Sequence, residues 1–512
     1  MSFYITCAID YPNSRPHIGT AYEKIAADTI VRYKRLMGED VFFLMGLDEH
    51  SQNVYKRAEE QGLEPITFTN QMEDVFRAAW TAVNVDFDDF IRTTQPLHRA
   101  AVKAMVDRVE AAGDLYEGVY KGFYCVSCEA YYGERGLVEG QCPVHETKPE
   151  FREEANVFFR LSAYQQRLKA HYEGHPEFVQ PDYRRNELMS LLNEGLEDIS
   201  VSRASGGWGI PMPGNEGQSV YVWFDALTAY LAATGFPEET DTYKKFWPAD
   251  MHLVGKDITR FHAIIWPAML MSAGLPLPKT VFGHGWVLTG GGRMSKSMGN
   301  VMDPVATAER FGADALRYFL LREAPFGRDL EFDHERFVGR YNADLANDLG
   351  NLLQRTVGMA MKYQNGLLGG PGEGDVTGLS AAAQEEARTY CDAMDIYELQ
   401  TGLKAIWSLV RAGNLAVDTH APWELAKHPD KAGELDTVLS QLAALLRQIA
   451  ILAYPFMPER STAMAKALGQ HPDPGMWRLD NLHDPSLAPR QVQETEPLFP
   501  RLDPEEVIGS DA

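Results

Sequence analysis

FYITCAIDYPNSRPHIGTAYEKIAADTIVRYKRLM, residues Phe3 to Met37, is the stretch that decides the fold. Phe3 to Ala8 is a short apolar run of strand character, a Pro/Asn/Ser/Arg loop carries the chain to His17, and apolar residues recur at helical spacing from Ala21 to Met37. Strand, loop and helix in that order open a parallel-sheet fold, because a strand buried on both faces needs helices to cover it. The next segment agrees. DVFFLMGL, Asp40 to Leu47, reads as a second doubly buried strand, and helical spacing follows near Asn53 to Gln61 and Phe68 to Val83.

From about Asp114 the texture turns aromatic, glycine-rich and cysteine-bearing, and it stays irregular to about Gly217, which marks an insertion. Alternation resumes with His252 to Gly255, a helical stretch Ile258 to Ala273, and Thr280 to Leu288. Beyond Pro325 helix-period segments dominate from Arg336 to Gly469, broken at Asn365 to Asp375 and at Pro422. The expected architecture is α/β: a Rossmann-type parallel sheet in two halves, 1–113 and 218–325, split by an insertion at 114–217. An all-α helical bundle over 326–470 and a proline- and acid-rich tail over 471–512 complete it.

Composition bounds the function. Of 512 residues, 45% are hydrophobic and 23% charged, an ordinary globular balance, and no run of some 18 apolar residues is read as a bilayer span. The N-terminus has no basic lead followed by a long apolar core, so no secretory signal is expected. Five cysteines do not make a disulfide scaffold in a chain of this length, which points to a reducing cytoplasm. A net charge of -24 excludes a broadly basic grip on nucleic acid, so any RNA contact has to be local.

Two segments suit phosphate. PHIGT, Pro16 to Thr20, puts His17 and Gly19 where a loop enters a helix, and there free N–H groups and the helix dipole favour an anion. GGGRMSKSMGN, Gly290 to Asn300, is a glycine turn delivering Arg293 and Lys296 with two serines, able to close over a triphosphate and neutralise its developing charge.

His17-Ile-Gly-Thr20 and Arg293-Met-Ser-Lys-Ser297 resemble the two signature motifs of class I aminoacyl-tRNA synthetases, and the residues around them resemble the methionine-specific branch. The likeness runs from Phe3 to about Met457 and includes YCVSCE, YVWFDAL, GKDI followed by FH, and GNLLQR. It implies activation of L-methionine by ATP with Mg2+, then transfer to the 3′ end of tRNA(Met). His17, Thr20, Arg293 and Lys296 would be catalytic, with His17 and Lys296 stabilising the α-phosphate under attack. Gly19, Gly255 and Asp257 would complete the ATP site. Thr20 stands where the family usually has histidine, and Arg293 where it usually has lysine, which keeps the charge but changes donor geometry.

Methionine offers an ammonium, a carboxylate and a soft thioether, and so asks for one buried acid plus an aromatic cage. The resemblance assigns Asp48 to the ammonium and Ala8, Ile9, Tyr11, Trp223, Ala226, Tyr230, Ile258 and His262 to the side-chain slot. Trp223 and Tyr230 lie seven apart, on one helix face, a spacing that core aromatics share; His262, His50 and His284 are equally compatible with a satisfied core histidine. Leu227 stands where many relatives carry proline. An apolar pocket resolves a single methylene by only about 1–3 kcal/mol, and related enzymes add an editing domain for that reason. An insertion of about a hundred residues taken up with cysteines has no room for one.

Cys125-x2-Cys128 and, thirteen residues on, Cys142-x2-His145 are paired ligand turns suited to a closed tetrahedral, structural zinc. Cys7 and Cys391 read as small buried hydrophobes. RNA reading prefers splayed bases on aromatics, and by resemblance Asn351, Arg355 and Trp423 of the helical part would read the anticodon. The absence of a further C-terminal module leads to the expectation of a monomer. A cysteine- or leucine-type synthetase and a non-catalytic tRNA-binding paralogue are the alternatives; the presence of His17, Asp48, Asp257 and Lys296 argues against the latter.

Overall fold

The structure is a computed structural model of the chain that describes all residues except 126–129, 133–135, 144–146, 205–206, 216, 294–301, 373 and 509–512. Its centre is a six-stranded, wholly parallel sheet in the order Asp89–Arg92, Asp40–Leu47, Ser2–Cys7, Met251–Gly255, Thr280–His284, Val179–Gln180. Ser2–Cys7 carries Phe43 opposite Ile5 on one side and Met251 opposite Ile5 on the other, so the two sequence halves meet along this strand. The order of strands reverses here, and in open parallel sheets the crevice at the carboxyl ends of such a pair is where ligands bind. Residues 8–11 and 255–258 leave the sheet at that crevice.

The opening helix runs Ile18–Leu36, a little earlier than its periodicity indicates, because its N-terminus is set by a cap and not by the first apolar residue. The sheet's last strand, Val179–Gln180, comes from inside the 114–217 stretch. That stretch is more regular than it reads. Leu115–Cys125 and Glu150–Phe159 form an antiparallel ladder from Leu115↔Phe159 to Tyr124↔Glu150, flanked by Ala130–Tyr132 and Ile199–Ser200. Tyr116 stacks on Phe158 across the ladder at 5.5 Å, and a Cβ on Gly118 would approach the same ring to 3.0 Å. The alternating glycines are therefore what admits the aromatics.

Helices Asn351–Gln364, Leu379–Asp395, Leu399–His420 and Ala432–Ala453 make the bundle. Pro429–Ala453 is long and apolar enough to cross a membrane, although no such run is evident in the sequence, where Asp436, Gln441 and Arg447 interrupt it. Its apolar face is mostly buried in the bundle core. The tail is pinned to the bundle: Leu368 N–H donates to Arg490 O at 2.8 Å, and Val492 N–H to Gly366 O at 2.8 Å. One apolar cluster runs from Phe3, Ile5 and Phe43 through Phe319 to Leu352, Leu409 and Leu446, so sheet and bundle share a core on one face. A second cluster, on the other face, joins the insertion to the crevice.

Candidate active site

His17 is the N-cap of Ile18–Leu36. Its Nδ1 accepts from the Gly19 and Thr20 N–H groups at 3.1 and 3.2 Å. The Thr20 hydroxyl answers, accepting from the His17 N–H at 3.0 Å and donating to the His17 carbonyl at 2.7 Å. This is a capping box with histidine in the serine's place. An Nδ1 occupied as acceptor leaves the ring proton on Nε2, pointing away from the helix start as a donor. Threonine at position 20 thus closes the cap, a role a fourth-position side chain does not reveal in sequence.

The second motif leaves the sheet through the hairpin Val287–Thr289 and Gly292–Arg293. Met294 to Val301, including Lys296, lie outside the described residues. On the far side, Met302 O accepts from the Ile18 N–H at 3.0 Å. The chain just past the second motif is thus bonded to the backbone of the first.

Asp48, Glu49 and His50 follow the strand Asp40–Leu47, and all three are buried. Asp48 N–H donates to Asp10 O at 2.9 Å, and Asp10 N–H to Gly46 O at 3.0 Å, which ties the exits of two neighbouring strands together. The Glu49 N–H donates to Thr93 Oγ1 at 3.0 Å, its carboxylate accepts from Arg92 Nε at 2.7 Å, and its carbonyl accepts from Trp208 Nε1 at 2.6 Å. His50 Nδ1 meets Asp225 Oδ2 at 2.7 Å. The residues beside Asp48 are therefore fixed on every side, which preorganises the acid itself.

The slot expected from sequence is gathered in one place: Ala8, Ile9, Tyr11, Trp223 and Ile258 pack on the cluster that holds Tyr230, and Ala226 and His262 are buried beside them. Trp223 and Tyr230 lie on two short helices, Val222–Leu227 and Ala229–Ala232, joined at Thr228, and not on one continuous face. They still converge. The Trp223 ring lies edge-on to His262 at 6.4 Å, and Tyr230 donates its hydroxyl hydrogen to His262 Nε2 at 2.7 Å. His262 Nδ1 donates to Ile258 O at 3.1 Å, and burial pushes its pKa down to about 4, so the imidazole is neutral at neutral pH.

Sequence reading missed the layer behind these residues. Phe261 stacks on Trp223 at 4.0 Å. His252 lies 4.7 Å from the Tyr230 ring, accepts from Trp266 Nε1 at 3.2 Å and donates from Nδ1 to Thr6 at 2.7 Å; burial holds its pKa well below the usual value. A cavity of about 310 Å³ is lined by Phe261, Arg260 and the insertion's Tyr120 and Arg203. The signal for Phe261 was present in its adjacency to His262; nothing in the local pattern points to His252.

Gly255 ends its strand where a Cβ would lie 2.8 Å from Asp257 Oδ1, so any side chain here would displace the Asp257 carboxylate. Trp286 Nε1 donates to the same Asp257 oxygen at 3.5 Å. Beneath the mouth, Lys24 Nζ donates to Ala8 O at 2.8 Å, Glu23 Oε1 at 2.7 Å and Asp10 Oδ1 at 3.2 Å, while His284 Nε2 meets Glu23 Oε2 at 2.9 Å. Burial raises the Asp10 pKa to about 6; for Glu23 burial is outweighed by Lys24 and His284, which bring it down to about 2. His284 is thus a core histidine in an ion network, and His50 is part of the pocket's frame.

Cys125 and Cys142 are buried and meet at one residue: Cys125 Sγ is 3.7 Å from Thr147 Oγ1, and the Cys142 N–H donates to Thr147 O at 2.9 Å. Cys128 and His145 lie outside the described residues. Among the described residues no group of three or more His, Cys, Asp or Glu gathers as a metal site. On the bundle, exposed Asn351 and half-buried Arg355 share the helix Asn351–Gln364. Arg355 lies 5.8 Å over the Trp423 ring and donates to Asp418 Oδ1 at 2.6 Å, and Trp423 is 36% exposed.

Comparison with known proteins bears on this geometry. The family described as tRNA synthetases class I (M) matches residues 3–148 and 137–357, and the anticodon binding domain of methionyl tRNA ligase matches 369–506. The methionine–tRNA ligase of Caldanaerobacter subterraneus subsp. tengcongensis is 46% identical over 99% of this chain and 80% of that protein. That of Thermotoga maritima is 43% identical over 98% of this chain and 81% of its own. Among solved structures, Mycobacterium tuberculosis methionyl-tRNA synthetase in complex with methionyl-adenylate superimposes with a TM-score of 0.94 at 41% identity, covering 98% of this chain and 100% of that one.

Proposed function

Because the chain belongs to the class I tRNA synthetases, in their methionyl branch, we infer that it activates L-methionine with ATP and transfers the methionyl group to transfer RNA. The observation that carries this reading is the convergence of Trp223, Tyr230 and His262, with Asp48 at the neighbouring strand exit, on the crevice beside the His17 turn. Pyrophosphate exchange into ATP, run with each amino acid in turn, tests it. Methionine alone should support exchange; exchange with cysteine or leucine instead, or with no amino acid, would overturn it.

The residues divide the work by their chemistry. Asp48 takes the substrate ammonium as an acid fixed before binding, and the aromatic and neutral imidazole walls of Trp223, Tyr230, Tyr11 and His262 receive the thioether, a group that favours polarisable ring edges. Ala8, Ile9, Ala226 and Ile258 fill the remaining slot. ATP, brought as its Mg2+ complex, sets its phosphates against the helix start at Gly19 and its ribose against Gly255 and Asp257. The Nε2–H of His17, with Lys296 and Arg293, offsets charge on the α-phosphate as the methionine carboxylate attacks it and pyrophosphate leaves. Thr20, bound into the cap, positions His17, which supports activity with threonine at that place.

Cys125 and Cys142, both buried and both meeting Thr147, one by its thiol and the other by its backbone N–H, supply the chemistry of a zinc ion completed by Cys128 and His145. Such an ion would brace the insertion. Cys125→Ser should leave less than half the zinc of the parent by atomic absorption, and unchanged metal content would refute the site. Asn351, Arg355 and Trp423 form a stacking and hydrogen-bonding surface for anticodon bases of tRNA(Met). Reduced cysteines favour a cytoplasmic setting, and a net charge of -24 favours a monomer through mutual repulsion.

A further inference from the structure

Three histidine and carboxylate side chains lie behind the amino-acid slot without belonging to it. Asp225, on the short helix Val222–Leu227, is completely buried. Its Oδ2 meets His50 Nδ1 at 2.7 Å, and its Oδ1 meets His98 Nε2 at 2.5 Å. His50 belongs to the segment Asp48-Glu49-His50, His98 to the helix Pro96–Ala111, and Asp225 lies between Trp223 and Ala226. The carboxylate therefore joins three elements. One supplies the acid for the substrate ammonium, one supplies the aromatic wall for the thioether, and the third is a long helix behind both.

An ionised carboxylate in a dry interior is costly unless donors hold it. Here burial would raise the Asp225 pKa, but His50 and His98 outweigh it and bring it down to about 2, so the charge persists throughout the working pH range. The imidazole that holds it from the substrate side is itself placed by the Trp208 ring, edge-on at 5.5 Å. The His50–Asp225 pair thus ties the segment that carries Asp48 directly to the helix that carries Trp223.

We propose that Asp225, acting through His50, is a positioning residue for methionine: it fixes the spacing between Asp48 and the Trp223 wall, and so the length of amino acid the slot accepts. This rests on the assignment of Asp48 and Trp223 to methionine. A misplacement of about an ångström in a preorganised site is enough to cost one to two orders of magnitude.

The test compares Asp225→Asn, His50→Gln and the double variant of the full chain by pyrophosphate exchange, with the KM for methionine and the KM for ATP measured separately. Each single variant should raise the methionine KM at least about tenfold and leave the ATP KM within about twofold. The double variant should be no worse than about the worse single one, because both cut the same link. Asp225→Glu, which restores the charge at a different reach, should raise the methionine KM less than Asp225→Asn. If Asp225→Asn does not fold, His50→Gln alone decides: an unchanged methionine KM, or methionine and ATP KM values rising together, overturns the proposal. Trp223→Ala run alongside separates the two layers, since a methionine KM that fails to move in that variant condemns the slot assignment itself.

Discussion

His17→Asn is expected to lower the rate of methionine-dependent pyrophosphate exchange by about 10²- to 10³-fold, the usual cost of removing one preorganised donor from a developing oxyanion. The helix should survive the change. His17 caps Ile18–Leu36 with Nδ1, and asparagine is among the best N-cap residues because its side-chain oxygen reaches the same N2 and N3 hydrogens. The Nε2–H donor proposed for catalysis has no counterpart in asparagine, which is too short to carry an N–H to the same point. His17→Ala removes cap and donor together and should lose a further ~1 kcal/mol of stability. Kinetics and thermal melting of the two variants therefore separate a catalytic from a structural histidine. An Asn variant that retains the parent's rate at saturating ATP and methionine would show that the ring's cap function is all it contributes.

His17 also marks where the sequence is legible and where it is not. Parallel strands announce themselves through continuous apolar runs such as DVFFLMGL, so the parallel sheet was readable from periodicity, while the strand order that makes the crevice was not. The slot residues came from resemblance, since aromatics at positions 223 and 230 have the spacing of ordinary core; the structure then brings them to His262 by breaking the helix at Thr228. The residues behind the slot stayed hidden because their partners are distant in sequence. His98 meets Asp225, and Arg92 meets Glu49, through contacts that no local pattern encodes. The insertion's ladder was hidden for a different reason. Its strands carry glutamate, lysine and arginine on an open face, and its glycines make room for rings across the ladder, so the segment looks like loop to any reading by hydrophobic alternation.

Asp28→Asn is expected to destabilise the chain by about 3–5 kcal/mol, the cost of stripping one partner from a buried ion cluster. Asp28 and Arg317 are both 0% exposed and their charged atoms are 2.6 Å apart. Arg32 Nε donates to the same Asp28 oxygen at 2.8 Å, and the Asp86 N–H donates to the other at 3.0 Å. Without the carboxylate, Arg317 would keep only neutral acceptors: Phe456 O and Pro455 O at 2.9 Å, and Asn84 O at 3.0 Å. Those carbonyls explain why the cluster matters beyond its own energy. Pro455 and Phe456 join the bundle's Ala432–Ala453 and Pro458–Ala467 helices, Asn84 leads into the strand Asp89–Arg92, and Asp28 lies on the helix that begins at His17. Arg317 thus clamps the helix that His17 caps to the helical bundle.

The pH dependence follows with a definite sign. Burial alone would raise the Asp28 pKa, but Arg32 and Arg317 outweigh it and hold the carboxyl below its ordinary value. A depressed acid stabilises fully above its unfolded pKa, about 4, and that contribution is lost as pH falls through the folded value. The gap in urea midpoint between parent and Asp28→Asn should therefore be constant from pH 8 to about 5 and close below about 4. Replacing Asp28 and Arg317 together by apolar residues of similar volume should cost much less than the sum of the single changes, because no unpaired charge remains buried. A single-site loss under about 1 kcal/mol, or a gap that widens in acid, would mean that water reaches the cluster and that the two halves of the molecule are held by apolar packing alone.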